Sequence, residues 1–413
     1  MRKSILISLI FPFIFQLVLY ADVTADDYLP HLDNKYGKIL LNMRWRYENV
    51  EQDGVKNAEA ITIRTRLGYQ TPVFFGFSGL AELEHTIPFN SGTYRSPGLN
   101  NALNRAVIAD PRNTELNRAQ LTYTGINNTT VILGRQRIKL DNVRFIGNVG
   151  WRQNEQTYDA VTIKNNSIKN LQLYYGYLKR VNRVFGRDAK PYRGLYYWNM
   201  DTHIVNIAYT PCRYARLVGY AYLTRVETRS ARSNSNDTYG AYLSGKYPVA
   251  HITLSYRIEY ATQKDNSKSP SGTSFDLDYY HFKLGGFCEK SKIDLGVGYE
   301  ILEGNGTRGF STPLATLHAF QGWADKFLAT PANGMEDLYT WAGIRLPYKI
   351  MLKTVYHKFE AENSGANYGD EIDFLAIWKI DNHFKLLGKY AHYSKDDFGA
   401  DTNKVIMELN FIY

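Results

Sequence analysis

The 413 residues carry 49 lysines and arginines against 40 acids, and 44% of them are apolar. No run of about 20 apolar residues follows the N-terminus, which excludes a polytopic helical membrane protein, and 14% aromatic content excludes a disordered chain. The net charge of +9 is spread along the chain with no Lys/Arg block, so nucleic acid is not expected as a partner.

The chain begins as an address. Arg2 and Lys3 precede an uncharged run from Ser4 to Tyr20, and then Ala21-Asp22-Val23-Thr24-Ala25. This pattern predicts a secretory signal peptide over 1–21, with cleavage after Ala21 or as late as Ala25. The mature chain then reads as one unit over 36–413. In the first strand Leu41, Met43, Trp45 and Tyr47 alternate with Asn42, Arg44, Arg46 and Glu48. Ile61, Ile63, Leu67 and Tyr69 alternate with Thr62, Arg64, Arg66 and Gln70. Further on, Ile252, Leu254, Tyr256, Ile258 and Tyr260 repeat the pattern, as do Ile293, Leu295, Val297, Tyr299 and Ile301. Period two of this kind is a strand with one apolar and one polar face. The last strand ends the same way, with Val405, Met407, Leu409, Phe411 and Tyr413 on one parity.

Short connections (125–128, 211–214, 247–250, 346–349, 381–383) alternate with long ones (86–115, 139–155, 181–202, 263–276, 302–335). Together these predict an all-β fold: a transmembrane antiparallel β-barrel of about 18 strands in the bacterial outer membrane. Short turns would face the periplasm and long loops the outside. The 33 tyrosines suit the lipid–water boundary. A soluble sandwich would bury both faces of some strands and carry fewer Arg and Lys within them. Two cysteines are too few for a disulfide framework, and Cys212 and Cys288 are expected as free thiols at turns.

The inward faces of such a barrel line water, so their charges are the candidate site. Pairing Val50 near Ala60 would set Arg46 opposite Arg64 and Arg44 opposite Arg66, with Glu82 and Glu84 beside them. Two glutamates cannot neutralise four guanidinium groups, so a surplus of anion-binding forks is expected there. Arg118, Arg135, Arg137, Arg180, Arg257, Glu259 and Lys353 extend the inward set. The histidines have no metal-ligand spacing, and no compact Ser-His-Asp group occurs. Neither a metal, a cofactor nor an enzyme is therefore expected.

Several stretches are longer than periodicity requires. They include Gly134-Arg135-Gln136-Arg137-Ile138, the run from Asn148 through Trp151-Arg152-Gln153-Asn154-Glu155 to Ala160, Tyr177 to Gly186, Gly309 to Phe320, Gly322 to Phe327, and Glu336 to Tyr339. In these the chain resembles the alginate-export family of outer-membrane proteins, from about Ala60 to Tyr413. The resemblance implies an eighteen-stranded barrel with a positively charged constriction that passes an anionic polyuronate. It also implies lumen positions for Arg135 and Arg137, with Asp159 as an acidic counterpart. Yet Arg135 and Arg137 share parity with Val131 and Leu133, so either a bulge intervenes or one face is misassigned.

The expected function is a channel for an anionic, alginate-like polysaccharide, in the direction of export. The alternative is an anion-preferring porin for small solutes, and a third reading gives the work to the loops, as in a barrel enzyme or adhesin. Expected partners are the polysaccharide or small anionic solute, outer-membrane lipid, and a periplasmic secretion or synthesis scaffold. A monomer is the favoured state.

Overall fold

The computed structural model describes residues 36–100, 102–189, 194–272 and 274–413. The predicted signal peptide lies outside the described residues. The first strands are β1 (Lys38–Gln52), β2 (Ala58–Gln70), β3 (Phe77–Pro88), β4 (Asn113–Tyr123), β5 (Thr129–Gln136) and β6 (Thr157–Asn165). Next come β7 (Leu171–Asn182), β8 (Tyr197–Cys212), β9 (Ala215–Thr224), β10 (Asn236–Val249), β11 (Ile252–Lys264) and β12 (Asp276–Cys288). The last are β13 (Ile293–Leu302), β14 (Met335–Leu346), β15 (Ile350–Glu360), β16 (Asn367–Lys379), β17 (Phe384–Lys395) and β18 (Thr402–Ile412). Each strand pairs antiparallel with the next, and β18 closes on β1. The result is a closed eighteen-stranded barrel. Closure leaves no free edge, which is what a sheet needs in order to sit in lipid.

The two faces invert the order of a soluble protein. Leu67, Leu83, Leu133, Leu284 and Leu295 are more than half exposed on the outside. Arg46, Glu48, Arg64, Glu84 and Asp373 are buried on the inside. Apolar groups turned outward and charged groups packed within are the pattern of an outer-membrane barrel wall. Aromatic rings mark both rims. Phe74, Phe75 and Tyr348 project at one end, and Tyr260 packs on Tyr280 at the other with centroids 5.2 Å apart. No helix is long and apolar enough to cross a membrane.

The turns at the β4–β5, β8–β9, β14–β15 and β16–β17 junctions are short, as expected, and the β2–β3 connection (71–76) is short as well. The β10–β11 turn sits later than expected, at 250–251. Three connections on the opposite rim are also short (53–57, 361–366 and 396–401), so the alternation of lengths is not strict. The β1–β2 register differs by two from the expected pairing. Val50 faces Ala58, which sets Arg44 opposite Arg64, Arg46 opposite Thr62 and Asn42 opposite Arg66. A slip of two leaves every side chain on its expected face.

Candidate functional site

Two long connections fold into the lumen instead of standing outside it. The 137–156 loop meets the 303–334 loop along a backbone seam. Gly147 N–H donates to the Leu314 carbonyl (2.9 Å), and Thr316 N–H donates to the Val143 carbonyl (3.0 Å). Val149 N–H donates to Thr316 Oγ1 (3.0 Å). The Trp151 and His318 rings stack at 3.5 Å and 15°. Burial pushes the His318 imidazole down to about 3, so it stacks as a neutral ring.

The arginine cluster of β1 and β2 holds this seam to the wall. Arg44 donates to the carbonyls of Gly150 (3.0 Å), Trp151 (3.0 Å) and Arg152 (3.1 Å). Arg46 pairs with Asp110 at 2.9 Å and also with Glu408 on β18. Arg66 pairs with Glu84 and lies 3.4 Å from Glu155, which also receives Arg137. Arg118 takes Glu82 at 2.6 Å. Arg64 is 1% exposed and donates to Asn42, while its other two nitrogen positions have no hydrogen-bond partner. The expected surplus of guanidinium groups is thus met only in part by carboxylates from elsewhere: Asp110 and Glu408 take Arg46 and Glu155 takes Arg66, while Arg64 has no carboxylate partner among the described residues.

Loop residues supply braces that period-two reading passed over. Arg152 reaches Glu48 at 2.8 Å, and Arg144 reaches Glu300 on β13 at 2.7 Å. Lys404 pairs with Asp325. On the far wall, Ala324 N–H donates to Glu371 (2.7 Å) and Trp323 N–H to Asp373 (3.2 Å). Burial alone would raise the Asp325 carboxyl, but the hydrogen bond from His318 Nδ1–H and the charges of Lys404 and Arg152 hold it well below the usual carboxylate range. The one advance signal was the Trp151–Glu155 run itself, which is too specific for a solvated loop.

Arg135, Asp159 and Arg180 fall elsewhere. Arg135 lies opposite Asp159, which lies opposite Arg180, at the loop ends of β5, β6 and β7. Arg135 chelates Asp159 at 2.7 and 3.1 Å, and Arg180 lies 4.0 Å from the same carboxylate. The register runs unbroken from Leu133, whose side chain faces outward, to Arg135. Arg135 and Asp159 therefore sit on the outer row, a correction to their expected place in the lumen. No bulge separates them from the outward parity of Leu133. Arg137, just past the strand, turns inward to Glu155 with Nε at 2.7 Å.

Below the seam, toward the short turns, a space of about 880 Å³ remains open. Its basic lining is Arg213, Arg216, Lys246, Arg257, Lys283 and Lys353, and its acidic lining is Glu300 and Asp337. Both acids are engaged, Glu300 with Arg144 and Asp337 with His357 at 2.8 Å. Arg257 pairs with Glu259 at 2.7 Å and lies 3.6 Å from the Tyr242 ring centroid. Among the described residues, Lys283 and Lys353 form no ion pair; each ammonium lies over the Trp341 ring, at 4.6 and 5.7 Å. Most arginines of the loop seam are thus braced by carboxylates, whereas Lys283 and Lys353 of the vestibule are not.

No protein-family model matches the chain, and no curated protein matches its sequence. Solved structures do match its fold. OccAB4 of Acinetobacter baumannii superposes with a TM-score of 0.72 at 14% identity, over 92% of this chain and 99% of that one. OccK9 (OpdG) of Pseudomonas aeruginosa gives 0.73 at 14% identity, over 92% and 99%. OpdK of the same organism, solved with vanillate, gives 0.71 at 12% identity, over 91% and 98%. At these identities the likeness is one of fold: the chain is a multi-pass, porin-like β-barrel of the bacterial outer membrane.

Proposed function

We propose that this chain is a passive, anion-preferring channel for small carboxylate-bearing solutes. The observation that carries the reading is the vestibule wall, where Lys283 and Lys353 face open space without a carboxylate partner. A wet lysine pair of this kind favours anions and releases them readily, as a conducting site must. The loop seam across the lumen supports a small solute over a bulky one. That a neighbour of the same fold was solved with vanillate, itself a small carboxylate, supports the same class.

A second reading keeps the anionic polysaccharide. It is favoured by one observation: the Asn148–Ala160 and Gly309–Phe320 stretches, which carry the resemblance to the alginate-export family, meet each other in the lumen. Arg44, Arg46, Arg64, Arg66, Glu82, Glu84, Arg118 and Arg137 would then line the path of a polymer only after the seam opens.

Current through the purified protein in a planar bilayer tests both. A salt gradient should give an anion-selective reversal potential, and benzoate should interrupt the current. Length-dependent block by polyuronate fragments would transfer the assignment to the polymer. Cation selectivity would refute both.

A further inference from the structure

The inner wall over β12, β13 and β14 is built for a flat ring. Three glycines, Gly285, Gly296 and Gly298, face inward on a strand pair whose outward positions are Leu284, Leu295 and Val297. Gly285 stands opposite Gly296, and Gly296 opposite Trp341. The indole lies across both glycines. A Cβ on Gly285 would stand 2.8 Å from its ring, and one on Gly296 would overlap it. A Cβ on Gly298 would likewise overlap the ring of Tyr339. Neither Gly285, Gly296 nor Gly298 has a positive φ, so no turn or strain calls for glycine here. Missing side chains in a strand mark a place where something approaches the backbone closely, and here that is the indole. Trp341 Nε1–H donates to Asp294 at 3.0 Å, which fixes the ring plane.

Over this recessed ring sit Lys283 and Lys353, neither of which has a carboxylate partner among the described residues. Asp294, the acid nearest to hand, is already spent on the indole N–H. Lys283 and Lys353 approach from opposite sides, Lys283 from β12 and Lys353 from β15. Aqueous cations resting on an aromatic ring are held weakly. A carboxylate attracts both ammonium groups more strongly than the ring does, and drawing them off uncovers the indole.

Resting on the reading of the chain as a small-anion channel, we propose that Trp341, Lys283 and Lys353 form a binding subsite for planar aromatic carboxylates near the short-turn mouth. The ammonium groups take the carboxylate. The uncovered indole, sunk into the glycine floor, stacks on the ring. Offset stacking needs a flat partner, so the subsite separates benzoate from a saturated acid of equal size and charge.

Single-channel block by benzoate and by cyclohexanecarboxylate tests this in the full-length wild-type protein and in Trp341→Leu. The expected result is a longer residence of benzoate in the wild type. The benzoate-to-cyclohexanecarboxylate ratio should fall about two- to tenfold in Trp341→Leu, as aromatic pair energies imply. In Gly296→Ala, which displaces the indole while keeping both lysines, the ratio should fall as well. Equal residence of the two acids in the wild type, or an unchanged ratio in Trp341→Leu, overturns the subsite. The salt-gradient reversal potential reads separately: a wild-type channel that prefers anions but ignores ring planarity refutes the subsite alone, and one that prefers cations refutes the channel reading beneath it.

Discussion

Glu155 is the most connected acid of the loop seam, and replacing it with glutamine is the sharpest test of how the lumen is narrowed. Its side chain is fully buried. It accepts Asn117 Nδ2 at 2.7 Å, Asn148 Nδ2 at 2.6 Å and Arg137 Nε at 2.7 Å, and Arg66 Nη1 lies at 3.4 Å. These partners come from β2, from β4 and from the 137–156 loop itself. In Glu155→Gln the shape survives, but Arg137 loses its counter-charge, Arg66 keeps only Glu84, and an amide N–H₂ faces other donors. Breaking one side of a buried ion pair costs about 3–5 kcal/mol. Arg137 is 29% exposed and keeps some hydration, which favours the lower figure. A loss of about 3 kcal/mol weakens loop docking about a hundredfold. The carbonyl bonds from Arg44 persist, so the loop should open locally and intermittently. In single-channel records a second, larger conductance level with added noise should therefore appear, while heat-modifiable gel mobility still reports a folded barrel. Records identical to wild type in level and noise would refute the reasoning. The pH dependence has a definite sign. Burial alone would raise the carboxyl of Glu155, but the guanidinium of Arg66, and then that of Arg137, hold it well below the usual range. A depressed carboxylate contributes stability above its unfolded pKa of about 4.3 and loses it only as pH falls through the lower folded value. The wild-type seam should therefore stay closed at pH 4.

Other expectations concern the remaining residue classes. Arg46→Leu strips Asp110 and Glu408 of their shared cation and should destabilise the barrel by about 3–5 kcal/mol, read as a lower unfolding midpoint in urea; a shift worth under about 1 kcal/mol would place that pair among exposed bridges. Lys283→Gln combined with Lys353→Gln should move the salt-gradient reversal potential toward zero, and an unchanged potential would remove both from the conduction path. Arg135→Gln should leave ion selectivity as it was, because Arg135 and Asp159 satisfy each other on the outer row; a loss of anion preference would return Arg135 to the lumen. Cys212 is exposed and lines the vestibule. In a Cys288→Ser background, a bulky anionic thiol reagent should therefore lower the current, and unaltered current despite labelling by mass would put Cys212 outside the pore.

The strands and their faces were legible because lipid and water impose opposite chemistry at alternate positions, and eighteen strands repeat that contrast. Register was legible only to within two residues, since a two-residue slip at the 53–57 turn costs no change of face. The four-arginine cluster was legible as residues but not as charge. Its partners Asp110, Glu155 and Glu408 lie 64, 89 and 362 positions away, taking Arg46 to Asp110 and to Glu408, and Arg66 to Glu155 (positions 66 and 155). No local pattern connects them. The parity conflict at Arg135 was a true signal, because strict alternation with Leu133 already placed it outside. The platform under Trp341 was hidden in another way: Gly285, Gly296 and Gly298 read as weak strand residues until the indole that fills their missing side chains is seen.

The seam between β1 and β18 carries a consequence for biogenesis. Arg46 meets Glu408, Arg44 Nε meets Asn410 at 2.9 Å, and Lys404 lies 3.9 Å from Glu48. The same Arg44 and Glu48 hold the 137–156 loop, and the same Lys404 holds Asp325 of the 303–334 loop. The first and last strands of the chain therefore share one set of side chains with both lumen loops. A half-inserted chain, with its terminal strand still unpaired, lacks the anchors that fasten the loops. Zipping the cylinder shut and narrowing its bore become a single event, so the cell is never offered a finished but wide-open hole.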